Sequence, residues 1–200
     1  MKKIILVRHW EALGNISWKL MWCKIWSNLT DKGKNEAKKV ANYIKNNYSI
    51  DKIYSSPVNR AIETVDIISS VLNKSYIVND NIKEIDFWDM TGKSIAEIPK
   101  EIDLQYRKNP FLHKHKWGEN MLDLFKRVKL FLDDNIYNSE ENNFLVVTHD
   151  NIIKAFVWVL NWITKEVISL KINNCSIVEY NIENNKVECV NFNLNYYLDE

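Results

Sequence analysis

The sequence predicts an α/β sandwich with a mostly parallel central sheet. Three observations carry that expectation. Two short apolar runs, KIILV at 3–7 and NFLVVTH at 143–149, have the unbroken aliphatic content of strands buried on both faces. Other segments repeat apolar residues every three to four positions, the period of a helix with one inner face. The two kinds of segment alternate for most of the 200 residues, which is how βαβ units read. With no linker, repeat or low-complexity tail, residues 1–200 read as one domain.

Each element has its own signal. The strand at 3–7 is followed by a loop to about residue 29. Thr30 can cap a helix from about 31 to 47, where Ala37, Val40, Ala41 and Ile44 form one apolar face. DKIY, 51–54, is a short strand. SSP then opens a second helix with Pro57 in its first turn and Val58, Ala61, Ile62, Val65 and Ile68 facing inward. A strand is expected near 76–78, and irregular chain with short helices over 80–118. A long helix is expected from about 119 to 136, a strand at 143–149 and a helix at about 151–161. SIVEYNIENNKVECVNFNL reads as two strands joined at Glu183-Asn184-Asn185.

Composition excludes several functions. Net charge is +1, so no field of one sign points to nucleic acid or an acidic membrane. The start, MKKIILV, has too few apolar residues for a signal peptide or a membrane span. The three cysteines, Cys23, Cys175 and Cys189, have neither metal-ligand nor disulfide spacing, which favours a reducing cytoplasm. Two biases stand out. Arginine occurs only at 8, 60, 107 and 127 in a lysine-rich chain. Glycine numbers four against eight tryptophans, where about 14 glycines would be usual.

In open α/β sheets ligands bind beyond the carboxyl ends of the strands. Two strands here end on histidine, IILVRH and FLVVTH, and a third, DKIYSS, leads into a helix start carrying Arg60. Their ends would gather Arg8, His9, Arg60 and His149 in one crevice. That set suits a phosphate ester. A neutral imidazole nitrogen can attack phosphorus and hold the phosphoryl group covalently. Guanidinium forks match the three oxygens of the transferring group, which an ammonium would not. His149 would act as a charged donor to the transition state. Glu84, in IKEIDFW, is the expected acid for the leaving alcohol. No Asp/Glu cluster suggests a metal site, so arginine and histidine would stand in for magnesium, and no cofactor is expected. A lone histidine at a strand end or a lone Arg60 more often has a structural role; the weight lies in their convergence.

These residues resemble a known family, the histidine phosphatase superfamily, also called phosphoglycerate-mutase-like. Its opening signature, LVRHGExxxNxxGxxxG, is similar to LVRHWEALGNISWKLMW. LTDKGKNEA, SSPVNRAIET, EIDFWDMTG, WGEN and LVVTHD resemble its later motifs, in order, over nearly the whole chain. The resemblance implies a three-layer α/β/α sandwich that needs no metal. It implies His9 as the phosphorylated nucleophile and Glu84 as the proton donor. It places Arg8, Arg60, His149 and Asn15 around the phosphate of a small phosphorylated metabolite. Glu63, Asn120 and Asp150 depart from the usual Gln, Ser and Gly. Lys19 and Lys154 replace common arginines.

Six tryptophans, at 10, 18, 22, 88, 117 and 162, fall where the family has glycine; Trp158 is ambiguous and Trp26 fits poorly. Drift does not send six glycines to one residue type. The pattern predicts a genetic code in which UGA specifies glycine, read here as tryptophan. If Trp10 is genuine, it crowds the nucleophile where backbone must approach phosphate. The expected function is a metal-independent phosphomonoester phosphatase acting through phosphohistidine, similar to the small phosphatase branch that includes alpha-ribazole phosphatases. The alternatives are a cofactor-dependent phosphoglycerate mutase and, with a genuine Trp10, an inactive phospholigand-binding homologue.

Overall fold

Four consecutive side chains of β1 (Lys2–Arg8), Ile4 to Val7, are fully buried. A strand so apolar on both faces must sit inside a sheet covered on both sides. The computed structural model places it so, and describes residues 1–12, 28–87, 93, 97–114, 117–161, 165–184 and 186–198. The other strands are β2 (Lys52–Ser55), β3 (Ile77–Val78), β4 (Asn143–Thr148), β5 (Ile177–Glu183) and β6 (Lys186–Leu194). Their order across the sheet is β3-β2-β4-β1-β5-β6. The first four run parallel, and β5 and β6 add an antiparallel margin.

The helices are α1 (Asp31–Asn47), α2 (Asn59–Leu72), α3 (Lys100–Lys108), α4 (Met121–Leu132) and α5 (Asp150–Asn161). Strand residues alternate between two cores. Ile5, Val7, Leu145 and Val147 pack with Ala37, Val40, Ala41 and Ile44 of α1 and Ala61, Val65 and Ile68 of α2. Ile4, Leu6, Phe144 and Val146 face Leu124, Val128 and Phe131 of α4 and Ile152, Ile153 and Phe156 of α5. The result is three layers with the sheet in the middle. Among the described residues no helix is long and apolar enough to cross a membrane.

Helix ends follow local chemistry. Thr30 caps α1 by accepting the Gly33 N–H at 2.9 Å, and its own N–H reaches the Glu11 carbonyl at 3.0 Å. Gly33 must be small, because a Cβ there would lie 2.3 Å from the Glu11 carbonyl oxygen. The α1 start is thereby fastened two residues beyond His9. Pro57 falls before α2, not in its first turn: Ser56 Oγ accepts the Val58 N–H at 3.2 Å, and Val58 is the extended cap. The long helix expected from about 119 divides in two. Asn120 and Asp123 form a capping box that starts α4 at Met121, and Asp133–Tyr137 continues as a wider π turn.

Candidate active site

The carboxyl ends of β1, β2 and β4 meet as anticipated, and backbone hydrogen bonds hold them there. The β1–β4 ladder runs to the pair Arg8 and Thr148, and the His9 N–H then donates to the Thr148 carbonyl at 2.9 Å. Parallel register so sets His9 and His149 side by side, with ring centroids 5.1 Å apart. From β2, the Ser56 N–H donates to the Val147 carbonyl at 3.0 Å. The first turn of α2 then delivers Arg60, only 2% exposed.

The hydrogen bonds of His9 assign its two nitrogens. Nδ1 lies 2.7 Å from the Trp10 carbonyl, which can only accept, so Nδ1 carries the proton. Nε2 keeps its lone pair and accepts from Arg60 Nε at 2.9 Å. Burial, then the charges of Arg60 and Arg8, hold the His9 pKa well below the usual histidine range, against the opposing pull of the Trp10 carbonyl. His9 is therefore neutral, with its lone pair on Nε2.

His149 carries its proton on the same nitrogen but meets different partners. Its Nε2 is 2.7 Å from Ser56 Oγ, and that oxygen already accepts from the Val58 N–H. A hydroxyl donating to Nε2 completes Ser56 and leaves the ring proton on Nδ1. That Nδ1 is buried with no hydrogen-bond partner. Burial, followed by the charge of Arg60, keeps His149 well below its ordinary pKa too. His149 is thus held toward the neutral form, and a phosphate dianion beside it would raise its pKa toward the charged donor expected from sequence.

Glu84 is 6% exposed, and its carboxyl is pushed above the ordinary range by burial, opposed by the charge of Arg60 and by the Ile85 N–H. That N–H reaches Oε1 at 2.8 Å. The surrounding segment is clamped from two sides. Thr148 Oγ1 donates to the Ile82 carbonyl at 2.8 Å. Arg127 forks onto Glu119 at 2.7 and 2.9 Å and donates to the carbonyls of Asn81 and Lys83, while Glu119 accepts the Asp86 N–H. From α3, Tyr106 comes near enough that the charges of Glu84 and Asp150 add to burial in raising its hydroxyl pKa.

Arg8 leans to one side of this group. Its Nη1 donates to the Ile172 carbonyl and lies 3.9 Å from Asp150 Oδ1. Glu63, which departs from the family's usual Gln, accepts the Leu29 N–H on Oε2 at 2.7 Å. Asn15, Trp18, Trp22, Trp26, Trp88 and Trp162 lie outside the described residues. Sequence reasoning passed over Ser56, Asp150 and Tyr106 as functional residues. Ser56 carried a signal in SSP, where it looked like a helix cap, and Asp150 one as a departure from the family's glycine; Tyr106 carried none. Among the described residues, no group of three or more His, Cys, Asp and Glu side chains is placed to hold a metal ion.

Two tryptophans sit uneasily and one does not. Trp10 is fully buried, yet its indole N–H has no acceptor. Trp117 adopts φ 64°, the left-handed region, and is 76% exposed. Trp158 stacks on Phe125 with centroids 4.0 Å apart and planes 8° from parallel.

Comparison with known proteins agrees with this geometry. The family model of the histidine phosphatase superfamily (branch 1) matches residues 4–195. Phosphoserine phosphatase 1 of Hydrogenobacter thermophilus is 29% identical, over 80% of this chain and 76% of that one. A 2,3-bisphosphoglycerate-dependent phosphoglycerate mutase of Thermoplasma acidophilum is 28% identical, over 92% and 88%. Among solved structures, a mutant phosphoserine phosphatase of Entamoeba histolytica in complex with phosphoserine superposes with a TM-score of 0.87 at 25% identity, over 99% and 100% of the two chains. A buried histidine pair at the ends of neighbouring parallel strands, an arginine against one of them, and a family match over almost the whole length lead to one conclusion: this chain belongs to the histidine phosphatase superfamily.

Proposed function

We propose that the protein is a phosphomonoester phosphatase that works through a phosphohistidine on His9. The observation that carries this reading is the fixed tautomer of His9, with Nδ1–H on the Trp10 carbonyl and the Nε2 lone pair against Arg60. A phosphoryl group entering the pocket would take the Arg60 donor and free that lone pair for phosphorus. An N–P bond forms as the ester P–O bond breaks. The leaving alkoxide takes the Glu84 proton, which the raised pKa keeps available. His149 Nδ1–H and the arginines stabilise the charge on the phosphoryl oxygens. The Glu84 carboxylate then takes a proton from water. That water attacks phosphorus, the N–P bond breaks, and phosphate leaves.

The phosphoserine phosphatase relatives support a small phosphorylated metabolite as substrate, with phosphoserine the first to assay. The mutase relative supports a second reading, in which the phosphoryl group returns to substrate. One preparation separates them. Phosphate release without conversion of 3- to 2-phosphoglycerate is expected; isomerisation without net phosphate release would overturn the phosphatase.

The same reading places glycine at positions 10 and 117 of the native protein, through a code in which UGA specifies glycine. The orphaned indole of Trp10 and the left-handed, exposed Trp117 support it, and the stacking of Trp158 on Phe125 supports a tryptophan at that position. The codons are the test, and UGG at both positions ends the idea. A genuine Trp10 would support the inactive, phospholigand-binding alternative.

A further inference from the structure

Arginine is scarce in this lysine-rich chain, and Arg127 takes no part in the phosphate chemistry described above. It stands on α4, and with its partner Glu119 is only 15% and 20% exposed, so the pair is largely out of water. Nε and Nη2 fork onto Glu119 at 2.7 and 2.9 Å, while Nη1 donates to the carbonyls of Asn81 and Lys83 at 2.8 and 3.1 Å. A lysine ammonium could not make that planar set. Glu119 in turn pairs with Asp86 in both directions: its N–H donates to the Asp86 carbonyl at 2.7 Å, and its Oε2 accepts the Asp86 N–H at 3.0 Å. Glu84 lies between these anchors. Residues 84–87 belong to no helix or strand, so no regular ladder fixes their backbone. The Lys83 carbonyl is part of the peptide that enters Glu84, and Asp86 follows two residues later. Around the carboxyl stand Arg60 of α2, Asp150 and Asn151 of α5 and Tyr106 of α3. The acid meets the leaving group only if its short segment enters that circle at one depth.

We propose that Arg127 and Glu119 are positioning residues for Glu84, holding the acid at the oxygen of the leaving alcohol. The inference rests on the phosphatase reading and deepens it: proton transfer depends on a pair that touches neither substrate nor the acid's own carboxyl. Misplacing a reacting group by about 1 Å can cost roughly a hundredfold in rate, which is the scale at which such a clamp matters.

Arg127→Ala would strand the Glu119 carboxylate, so the test uses Arg127→Lys, which keeps the charge and loses the fork, with Glu119→Gln as a second variant expected to behave alike. In the full chain, kcat/KM for phosphoserine should fall about ten- to hundredfold. For p-nitrophenyl phosphate, whose leaving group needs no proton, it should fall less than about threefold. In a Glu84→Gln background, Arg127→Lys should cost phosphoserine nothing further, because the clamp acts through that carboxyl. Equal losses on the two esters, or a further tenfold loss without Glu84, would overturn the proposal and leave a merely structural clamp. A last readout needs no turnover. Carbon NMR of the Glu84 carboxyl should show it titrating closer to the ordinary carboxylate range in Arg127→Lys, because a loosened segment admits water. An unchanged titration would also overturn the clamp. A parent protein that hydrolyses neither ester would sink the phosphatase reading, and the carboxyl titration would then decide the clamp alone.

Discussion

Replacing Glu84 by glutamine isolates proton transfer from everything else the side chain does. The amide keeps an oxygen for the Ile85 N–H, now held at 2.8 Å, and stays uncharged in a site that already favours the neutral carboxyl. The fold should therefore survive, with a melting temperature close to that of the parent. What is lost is the acid of the first step, which kcat/KM reports, and the base of the second, which slows kcat on both esters alike. General acid catalysis contributes roughly 10²- to 10⁴-fold, or about 2.7–5.4 kcal/mol of barrier. The loss must depend on the leaving group. Phosphoserine releases an alkoxide that needs a proton, so kcat/KM should fall by about two to four orders of magnitude. p-Nitrophenolate departs without one, so its ester should lose less than about tenfold. The pH dependence has a definite sign. A carboxyl with a raised pKa is protonated at low pH, so kcat/KM for phosphoserine should fall as pH rises through that pKa, and Glu84→Gln should erase that limb. Steady-state kinetics on both esters across pH is the assay. Equal losses of kcat/KM on the two substrates would refute Glu84 as the acid.

Ser56→Ala should cost about tenfold in kcat, since it removes the partner that fixes the His149 tautomer, and Ser56→Thr should restore most of it. Nitrogen NMR of the imidazole should show the proton leaving Nδ1; an unchanged tautomer would refute the assignment. Trp117→Gly should raise thermal stability by about 0.5–1 kcal/mol, because a left-handed non-glycine residue costs about 1–2 kcal/mol and this one buries little. A lower melting temperature would count against glycine at that position. Trp10→Gly should raise turnover of p-nitrophenyl phosphate, and no gain would favour a genuine tryptophan. Acidification should destabilise the fold. Between the lowered folded pKa values of His9 and His149 and their ordinary 6.5, the unfolded chain binds more protons. Stability should therefore fall as pH drops below 6.5, by at most about 1.4 kcal/mol per pH unit for each histidine. Glu84 acts in the opposite sense above its ordinary 4.5, so thermal melts in the Glu84→Gln background isolate the histidines; melting temperatures independent of pH would refute the argument.

The legible parts of this molecule were those with local periodicity. β1 and β4 declared themselves because a central parallel strand is apolar on both faces. The α1 face of Ala37, Val40, Ala41 and Ile44 is buried as its spacing implied. Convergence of His9, Arg60 and His149 followed from where strands end, a property of the fold class rather than of any contact. Contacts between distant segments were not legible. Ser56 and His149 are 93 positions apart, and no pattern around either residue announces their hydrogen bond. The same holds for Asp150 near Arg8, and for Tyr106 beside Glu84. The tautomer of each histidine, and so the division between attacking lone pair and donated proton, emerges only from such pairs.

The strand order has a consequence for synthesis. β1 is made before both of its sheet neighbours among the described residues, β4 and β5, which begin at 143 and 177. Until residue 143 is made, the four most apolar consecutive residues of β1 have no strand to pair with. Pairings of such long sequence separation form slowly, and an unpaired apolar strand is an aggregation hazard while it waits. His9 lies at the end of that strand, so the nascent chain carries its nucleophile long before the pocket around it can exist. Activity should then appear late, together with closure of the sheet, and serve as a sensitive report of complete folding.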